Sequence, residues 1–425
     1  MMTLFVVLLF FGLLLTGMPI FVVLGLSAAI LFGVSGAPLI GVAQKIIDQF
    51  NSATLMALPF FVMAAAFMRR GGVATALVDL ATAWFGGMRG SLGLVAVVAC
   101  TLFAAICGSS VATALAMGTL LIPAMLQRNY PRSFALGVVG ASGTIGVVIP
   151  PSISLVLYGI IAEQSVPRLF LAGILPGLLQ ALLFALWIIY YARRNNLPTE
   201  PSKSRAELVA VTLRALPALA VPTVVMVGIY GGIVTVTEAA ALSAEAALVV
   251  SVTVYRGFRL SETLAVTGEA LKSATAIMII IASALAFGQW VTESGIPAGF
   301  VQFIIDHQFS TWQFLLAINV LLLVLGCFLE VASTMLIVLP ILVPVLKPLG
   351  VNPVHFAIIF THNMEIALVH PPIGLNLYVL SGIVAAPITE VIRGILPFIV
   401  LLLLVLGIIT YVPWLSLWLP ALVYG

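Results

Sequence analysis

The residues best suited to chemistry in this sequence are polar side chains that lie beside glycines and prolines inside otherwise apolar stretches. Hydroxyl groups and free backbone carbonyls are hard oxygen ligands that suit a small cation, and the N-terminus of a helix attracts anions. A Na⁺ ion beside a bound carboxylate would satisfy both kinds of group. The candidate ion- or substrate-binding residues are Gly108, Ser109, Ser110, Thr113, Ser142, Gly143, Thr144, Gly146, Pro150, Ser152, Glu330, Ser333, Thr334, Asn363, Glu365, Pro371 and Asn376.

Each candidate also has a purely structural explanation. A serine or threonine in a membrane helix often bonds back to the preceding turn or packs against a neighbouring helix. Ionisable residues inside apolar spans are costly and suggest function by default, which applies to Glu238, Glu330 and Glu365. Of these, we expect Glu238 to cap the helix that it begins. The clustering of the other candidates at four interruptions favours a binding site.

Three residues suggest an alternative of another class, an intramembrane metalloenzyme. His362, Glu365 and His370 have the spacing H-x-x-E-x-x-x-x-H. Zinc proteases use H-E-x-x-H, which places both histidines one helical turn apart. Because His370 directly precedes Pro371-Pro372, a regular helical face is interrupted there. We therefore predict that the protein is not an enzyme and has no catalytic residues.

The composition places these residues in a membrane. Of the 425 residues, 63% are hydrophobic and 7% are charged, whereas a soluble domain has about 25% charged residues. Residues 170–192 and 394–412 approach the roughly 20 apolar residues that a bilayer-crossing helix needs. We predict an all-α polytopic membrane protein in which residues 3–34 are retained as one helix or two. The three cysteines have no metal-type spacing and are interpreted as core thiols.

An internal repeat divides the chain. Pro150-Pro151 recurs as Pro371-Pro372, an offset of 221 residues (371 − 150 = 221). The string GILP, Pro123 and Thr113 recur at the same offset. We predict a first repeat at 1–192, a linker at 193–216 and a second repeat at 217–425. Scaffold helices are expected at 1–90 and 217–308, and a hairpin with a broken helix at 91–192 and 309–412.

Arginines indicate the orientation of the first repeat. Arg89 precedes the apolar segment 94–126 and Arg128 follows it, and the linker is also basic. The positive-inside rule therefore places the linker and both ends of this segment in the cytoplasm. Gly108-Ser109-Ser110 interrupts the segment, which predicts a re-entrant hairpin buried in protein or lining a cavity.

The corresponding segment of the second repeat, 313–345, is interrupted at 330–334 and has no flanking arginine. We expect it to open on the opposite side, with position 130 in the cytoplasm and position 350 in the periplasm, although Lys347 argues against this. Inverted repeats with broken helices are typical of secondary transporters.

A second interrupted span follows each hairpin. The first, 133–163, contains the glycine-rich run 140–146 and a proline pair, and the second, 353–386, contains residues 361–365 and the other proline pair. Adjacent prolines leave helix carbonyls without partners. We expect both 140–146 and 361–365 to lie in the breaks.

These motifs together resemble the large membrane (permease) subunit of tripartite ATP-independent periplasmic (TRAP) transporters, over essentially the whole chain. The stretches that carry the resemblance are Gly108–Gly118 (GSSVATALAMG), Gly140–Ile153 (GASGTIGVVIPPSI), Gly173–Leu178 (GILPGL), Gly228–Ala241 (GIYGGIVTVTEAAA) and Pro371–Leu377 (PPIGLNL).

The resemblance implies a Na⁺-coupled elevator transporter of the bacterial inner membrane, with the hairpins and broken spans forming a transport domain against a scaffold. It implies two partners, a separate small four-helix membrane subunit and a periplasmic substrate-binding protein, and organic acids such as C4-dicarboxylates or sialic acids as substrates. No cofactor is expected besides Na⁺ as the coupling ion, and the sequence contains no P-loop string. A stand-alone Na⁺/anion symporter and a channel remain alternatives.

Overall fold

The computed structural model describes residues 2–36, 39–50, 53–371 and 374–425, and within these ranges it contains helices and no strand. The helices of the first half are α1 (Met2–Leu15), α2 (Ile20–Ser35), α3 (Leu39–Phe50), α4 (Ala53–Arg70), α5 (Val73–Phe85), α6 (Ser91–Cys107), α7 (Ser110–Gln127), α8 (Arg132–Thr144), α9 (Ile153–Ile161) and α10 (Val166–Arg194). Those of the second half are α11 (Arg205–Tyr230), α12 (Val236–Val249), α13 (Thr263–Glu293), α14 (Ile296–Asp306), α15 (Thr311–Gly326), α16 (Val331–Leu346), α17 (Pro353–Ala367), α18 (Leu375–Val384), α19 (Ile388–Tyr411) and α20 (Trp414–Tyr424).

Several helices can cross a bilayer. In the described part of the chain six segments are long and apolar enough, and they include α10 and α19, which cover the two spans predicted from the sequence. The pair α4 and α5 is a seventh candidate, bent by 67°. The N-terminal run forms two helices, because α1 ends at Leu15 and α2 begins after Pro19. Glu238 caps α12 through a capping box with Thr235, as predicted.

The linker between the halves contains less loop than its polar composition suggests. Helix α10 continues to Arg194 and α11 begins at Arg205, so only residues 195–204 lie outside helices. Charged long side chains support helix formation, and Ser204 with Glu207 forms a capping box that begins α11. The basic residues at either end of the linker therefore extend the flanking helices.

Pro198 and Glu200 hold the linker against the outer ends of α6 and α7. The carbonyl of Pro198 accepts hydrogen bonds from the Gly90 amide at 3.1 Å and from the Tyr130 hydroxyl at 3.2 Å. The carboxylate of Glu200 lies 3.2 Å from the guanidinium of Arg128. The linker and both ends of the α6–α7 pair therefore lie together, as the arginine pattern predicts.

Both pairs of helices joined by an interruption are hairpins. In the first, the Leu92 amide donates to the Tyr130 hydroxyl at 3.4 Å, which joins the start of α6 to the residues after α7. In the second, the Thr311 hydroxyl donates to the Leu349 carbonyl at 3.0 Å, which joins the start of α15 to the residues after α16. Each hairpin therefore has its outer ends together and its interruption at the other end.

The second half repeats the element order of the first. Helices α15 to α19 follow the order of α6 to α10, namely a hairpin, two short helices separated by a break, and a long helix. Contacts between the halves come in matching pairs. Helix α2 packs on α13, and α12 packs on α4. In the same way α7 packs on α18, and α16 packs on α9. Each of these contacts is made twice, with the roles of the two halves exchanged.

The backbones of α8 and α19 touch at two glycines. A Cβ atom added to Gly394 would lie 1.9 Å from the Ser133 carbonyl oxygen, and one added to Gly137 would lie 2.0 Å from the Gly394 carbonyl oxygen. No side chain fits at such distances. Small residues at this crossing therefore allow the long helix of the second half to pack directly on the broken span of the first.

Candidate functional site

The first hairpin turns at Gly108 and Ser109, here called the first tip. Gly108 has a φ of +60°, which a residue without a Cβ adopts readily. Ser109 is the N-cap of α7, and its Oγ accepts a hydrogen bond from the Ala112 amide at 3.5 Å. The Thr113 hydroxyl donates to the Ser109 carbonyl at 2.8 Å. These three predicted residues therefore build the turn itself.

The second hairpin turns at residues 327–330, the second tip. Glu330 is the N-cap residue of α16, and the Thr334 hydroxyl donates to its carbonyl at 2.9 Å. This bond repeats the one between Thr113 and Ser109 at the corresponding positions of the first tip. The Ser333 hydroxyl donates to Oε1 of Glu330 at 3.2 Å. The three predicted residues of this tip are therefore in mutual contact.

The first tip lies against the break between α8 and α9. A Cβ added to Gly108 would lie 2.7 Å from the Pro151 carbonyl oxygen, so the two backbones are in contact. Ser152 is the N-cap of α9, where its hydroxyl accepts from the Leu155 amide at 3.3 Å and donates to the Val147 carbonyl. Pro150 is buried in the same break.

A side-chain hydrogen bond joins the first tip to the break of the second half. Nδ2 of Asn376, in the first turn of α18, donates to the Ser110 hydroxyl at 2.8 Å, and both residues are buried. Oδ1 of Asn376 is buried and has no hydrogen-bond partner among the described atoms. Pro371 is half-buried in this break, and Pro372 lies outside the described residues.

A cavity of about 320 Å³ lies where the tips and the breaks meet. The first residues of four helices line it, and they are Ser110 of α7, Ile153 of α9, Val331 of α16 and Leu375 of α18. Its opposite wall is apolar and comes from α4 and α13, including Leu58, Ile277 and Ile280. Among the described residues that line the cavity, Glu330 is acidic and none is an arginine, lysine or histidine.

The breaks are shorter than the sequence predicts. Five candidates lie in helices instead, namely Ser142, Gly143 and Thr144 in α8 and Asn363 and Glu365 in α17. The glycines serve close packing, because a Cβ added to Gly143 would lie 3.1 Å from the Cβ of Ala114, and one added to Gly146 would lie 3.1 Å from that of Ala104. The prediction that 140–144 and 361–365 lie in breaks is therefore wrong, whereas Gly146 does lie between α8 and α9, and the chain leaves the helix closer to the prolines.

Glu365 of α17 is fully buried and contacts two other helices. The Thr144 hydroxyl of α8 lies 2.5 Å from Oε1 of Glu365, and the Gln180 amide group of α10 donates to the same oxygen. Within α17, Nδ1 of His362 lies 3.0 Å from Oε2 of Glu365. Gln180 is absent from the sequence-based candidates. The signal for it is a polar side chain inside the apolar span 170–192.

A second buried chain of amides extends across α17, α15 and α19. Nδ2 of Asn363 donates to Oδ1 of Asn319 at 2.7 Å, and Nδ2 of Asn319 donates to the Thr410 hydroxyl at 2.9 Å. Asn319 is also absent from the candidates, although it is a polar residue within 313–345. Oδ1 of Asn363 and Oγ of Ser142 are buried without a hydrogen-bond partner in the described structure.

The three residues of the metalloenzyme alternative do not form one site but make two separate contacts. His362 pairs with Glu365, whereas Nδ1 of His370 lies 3.5 Å from Sγ of Cys327 beside the second tip. No group of three or more histidine, cysteine or acidic side chains that could hold a metal ion occurs among the residues that the structure describes. Cys100 and Cys107 are buried free thiols, as predicted, whereas Cys327 is a free thiol that is only half-buried at the second tip.

Two solved structures share this fold. The YdaH transporter of Alcanivorax borkumensis has a TM-score of 0.66, with 89% of this chain and 88% of that chain covered at 14% identity. MtrF of Neisseria gonorrhoeae, from a class of antimetabolite efflux pumps, has a TM-score of 0.63, with 89% and 84% covered at 13% identity. At these identities the likeness shows the fold alone.

Several sequence relatives share a much higher identity with this chain. The C4-dicarboxylate TRAP transporter large permease protein DctM of Pseudomonas aeruginosa is 43% identical over 89% of this chain and 88% of that protein. DctM of Rhodobacter capsulatus is 39% identical over 97% of each, and the sialic acid TRAP transporter large permease protein SiaM of Vibrio cholerae is 33% identical over 97% of each.

The family profile described as the DctM component of tripartite ATP-independent periplasmic transporters matches residues 7–415. That match, the relatives and the long apolar helices make this a multi-pass protein of the inner membrane and a transport protein, not an enzyme. The resemblance found in the sequence is confirmed: the chain belongs to the DctM family of large permease subunits of TRAP transporters.

Proposed function

We propose that this protein drives Na⁺-coupled uptake of an organic acid, of the C4-dicarboxylate or sialic acid type, across the inner membrane. The observation that carries the proposal is the cavity bounded by the first residues of α7, α9, α16 and α18. A helix N-terminus presents unpaired amide N–H groups and roughly half a positive elementary charge. Four such ends around one cavity favour a carboxylate without a cationic side chain.

Buried oxygens of the broken spans offer ligands for Na⁺. Hydroxyl, amide and carbonyl oxygens suit hard cations, and a buried oxygen without a partner is costly unless a ligand satisfies it. Oγ of Ser142, Oδ1 of Asn363 and Oδ1 of Asn376 are buried oxygens of this kind. We assign them, together with the oxygens of the two tips, as the groups that would hold the coupling ion.

Contacts between the halves support an inverted arrangement. Helix α8 begins beside the outer end of the first hairpin, and α9 reaches the start of α17, where the Tyr158 hydroxyl donates to the Pro353 carbonyl at 2.8 Å. If α8 and α9 together cross the membrane, the second hairpin, which ends before Pro353, opens on the opposite side from the first. The exchanged helix contacts fit a two-fold axis in the membrane plane.

An elevator movement would carry the cavity across the membrane. In this scheme α6 to α9 and α15 to α18 form the transport domain, and α2, α4, α12 and α13 belong to the scaffold. The scaffold wall of the cavity is formed by Leu58, Ile277 and Ile280, together with Ala276. An apolar wall allows the domain to slide without breaking hydrogen bonds, which supports a moving interface at this position.

The family to which this chain belongs suggests its partner proteins. The relatives are named as large permease proteins of TRAP transporters, and the family is described as tripartite and periplasmic. We propose that this chain works with a small four-helix membrane subunit and with a periplasmic binding protein that delivers the substrate.

Radiolabelled uptake into proteoliposomes tests the proposal. Liposomes containing this chain and its small subunit would receive an inward Na⁺ gradient and a panel of organic acids, with and without candidate binding proteins. Uptake that needs both Na⁺ and a binding protein is expected. Uptake with Na⁺ alone would favour the stand-alone Na⁺/anion symporter, and uptake indifferent to Na⁺ would contradict ion coupling.

A further inference from the structure

Glu245 is an acidic residue on the outer surface of a helix that can cross the membrane. Helix α12 continues as a π-helical turn, so the crossing segment is Val236–Val254, with 19 residues. Glu245 is its midpoint, because nine residues precede it (245 − 236 = 9) and nine follow it (254 − 245 = 9), and it is exposed. At a rise of 1.5 Å per residue it lies about 13.5 Å from either end. A glutamate side chain is too short to reach the membrane surface from there.

The chain itself offers this carboxyl group no charged partner. Among the residues that the structure describes, no ion pair includes Glu245. Helix α12 packs on α4 and α11. Residues 53–68 of α4 and 215–230 of α11 contain no acidic or basic residue. A polar side chain inside a membrane is costly unless it pairs with another group or faces a water-filled cavity.

The surface around Glu245 is otherwise apolar. Leu242 and Val249 lie three residues before it and four residues after it, on the same side of α12, and both are exposed. Val224 and Val227 of the neighbouring α11 are exposed as well. These five residues are here called the α11–α12 face. Lipid tails satisfy the apolar side chains, but they offer no hydrogen-bond donor to the carboxyl group.

We propose that the α11–α12 face binds a membrane helix of the small subunit, and that an arginine or lysine in the middle of that helix pairs with Glu245. A basic side chain offers both N–H donors and the opposite charge, and such charge-assisted hydrogen bonds are stronger than neutral ones. Helix α12 belongs to the proposed scaffold, so a partner bound there leaves the transport domain free to move. The inference rests on the proposed association with a small subunit and specifies where that subunit binds.

A second copy of this chain fits the α11–α12 face less well. In a two-fold dimer the same face of each copy would meet the other. Residues 215–249, which include the whole face, contain no arginine or lysine. Such a dimer would therefore enclose two carboxyl groups without a cation, which is unfavourable at this depth.

Binding of the purified chain to its small subunit tests the contact. We expect Glu245→Leu to weaken the apparent affinity about tenfold or more, because the small subunit's cation loses its partner. The chain alone should keep its melting temperature, since the replaced side chain is exposed. Glu293→Leu, at the exposed end of α13, is the control and should bind like the natural protein. Equal affinities for the two leucine variants would overturn the inference.

Two further variants keep the test decisive. If Glu245→Leu does not fold, Glu245→Gln preserves the shape of the side chain and should also weaken binding, whereas unchanged binding would overturn the inference. Glu245→Lys is combined with single replacements of each membrane arginine or lysine of the small subunit by glutamate. One combination should restore binding, and failure of every combination would overturn the assigned cation.

The outcomes also separate this inference from the proposed function. If the natural chain and its small subunit do not associate at all, the proposed partnership fails. If they associate and Glu245→Leu has no effect, only the assignment of the α11–α12 face fails. Light scattering of the chain alone tests the other occupant, because a dimer of this chain that Glu245→Leu dissociates would overturn the inference in favour of a second copy.

Discussion

The Thr144 hydroxyl lies 2.5 Å from the Glu365 carboxylate, and the two residues are 221 positions apart. This separation equals the offset of the sequence repeat, so the hydrogen bond joins a position to its own counterpart in the other half. In a two-fold arrangement, only positions beside the axis contact their counterparts. The pair therefore marks where the two halves of the protein meet.

Replacing Thr144 with valine should destabilise this junction. Valine matches threonine in shape but lacks the hydroxyl, so buried Glu365 loses a partner, and we expect a loss of about 1–3 kcal/mol in unfolding free energy. Thermal unfolding of the purified protein measures it. The same substitution at Thr119, which is exposed and bonds to its own turn, is the control. Equal melting temperatures for the two variants would contradict the prediction.

Alanine at the tips should impair transport. In Ser109, Ser110, Ser333 and Thr334 variants we expect reduced uptake and a higher Na⁺ concentration at half-maximal rate, because each change removes an oxygen from a tip. Uptake into proteoliposomes at graded Na⁺ measures both. Ser273→Ala, at an exposed position of α13, should behave like the natural protein. If all four tip variants match that control, the tips do not hold the ion or the substrate.

The bridge between Ser110 and Asn376 should show energetic coupling. The natural protein, the two single alanine variants and the double variant form a double-mutant cycle. We expect a coupling energy of about 1 kcal/mol, typical of a neutral hydrogen bond. The unfolding free energies of these four proteins give the coupling energy. A coupling energy near zero would show that the bond does not stabilise the first tip against α18.

Gly394→Ala should disrupt the packing of α19 on α8. The added methyl group would lie 1.9 Å from the Ser133 carbonyl oxygen, so the helices must separate, at a cost of about 1–3 kcal/mol or more. Gly407→Ala on the same helix is the matched control, because its added Cβ meets nothing within 4 Å. Yield and melting temperature measure the difference. A Gly394→Ala protein as stable as the control would contradict the close crossing.

Cysteine labelling tests the inverted arrangement. Position 130 is a poor labelling site because Tyr130 is buried, so the neighbouring exposed Asn129 takes its place, together with exposed Gly350. In a protein whose half-buried Cys327 is replaced by serine, we expect Asn129→Cys to react from the cytoplasm and Gly350→Cys from the periplasm. Reaction of both from one side would exclude inverted repeats.

Sequence reasoning succeeded where structure is determined locally. Glycine and proline act on their own turn, so the interruption at Gly108-Ser109 and the N-terminus of α16 at Glu330 were predictable from residue type. Residues 140–144 were wrongly assigned to the break, because glycines there allow close packing against other helices, as Gly143 does against Ala114. Gln180 and Asn319 were missed for the same reason, since their partners are distant in sequence.

The cavity where the tips and the breaks meet is lined on one side by the starts of four helices, and this has an evolutionary consequence. A positive field made by the backbone cannot be deleted by any single codon change and does not titrate over the physiological range. Under the proposed function, this part of the attraction for an anion stays in place when side chains around the cavity change. Under the proposed function, a lineage built on this plan would change its cargo by exchanging a few side chains and would inherit the means of holding a negative charge with the fold.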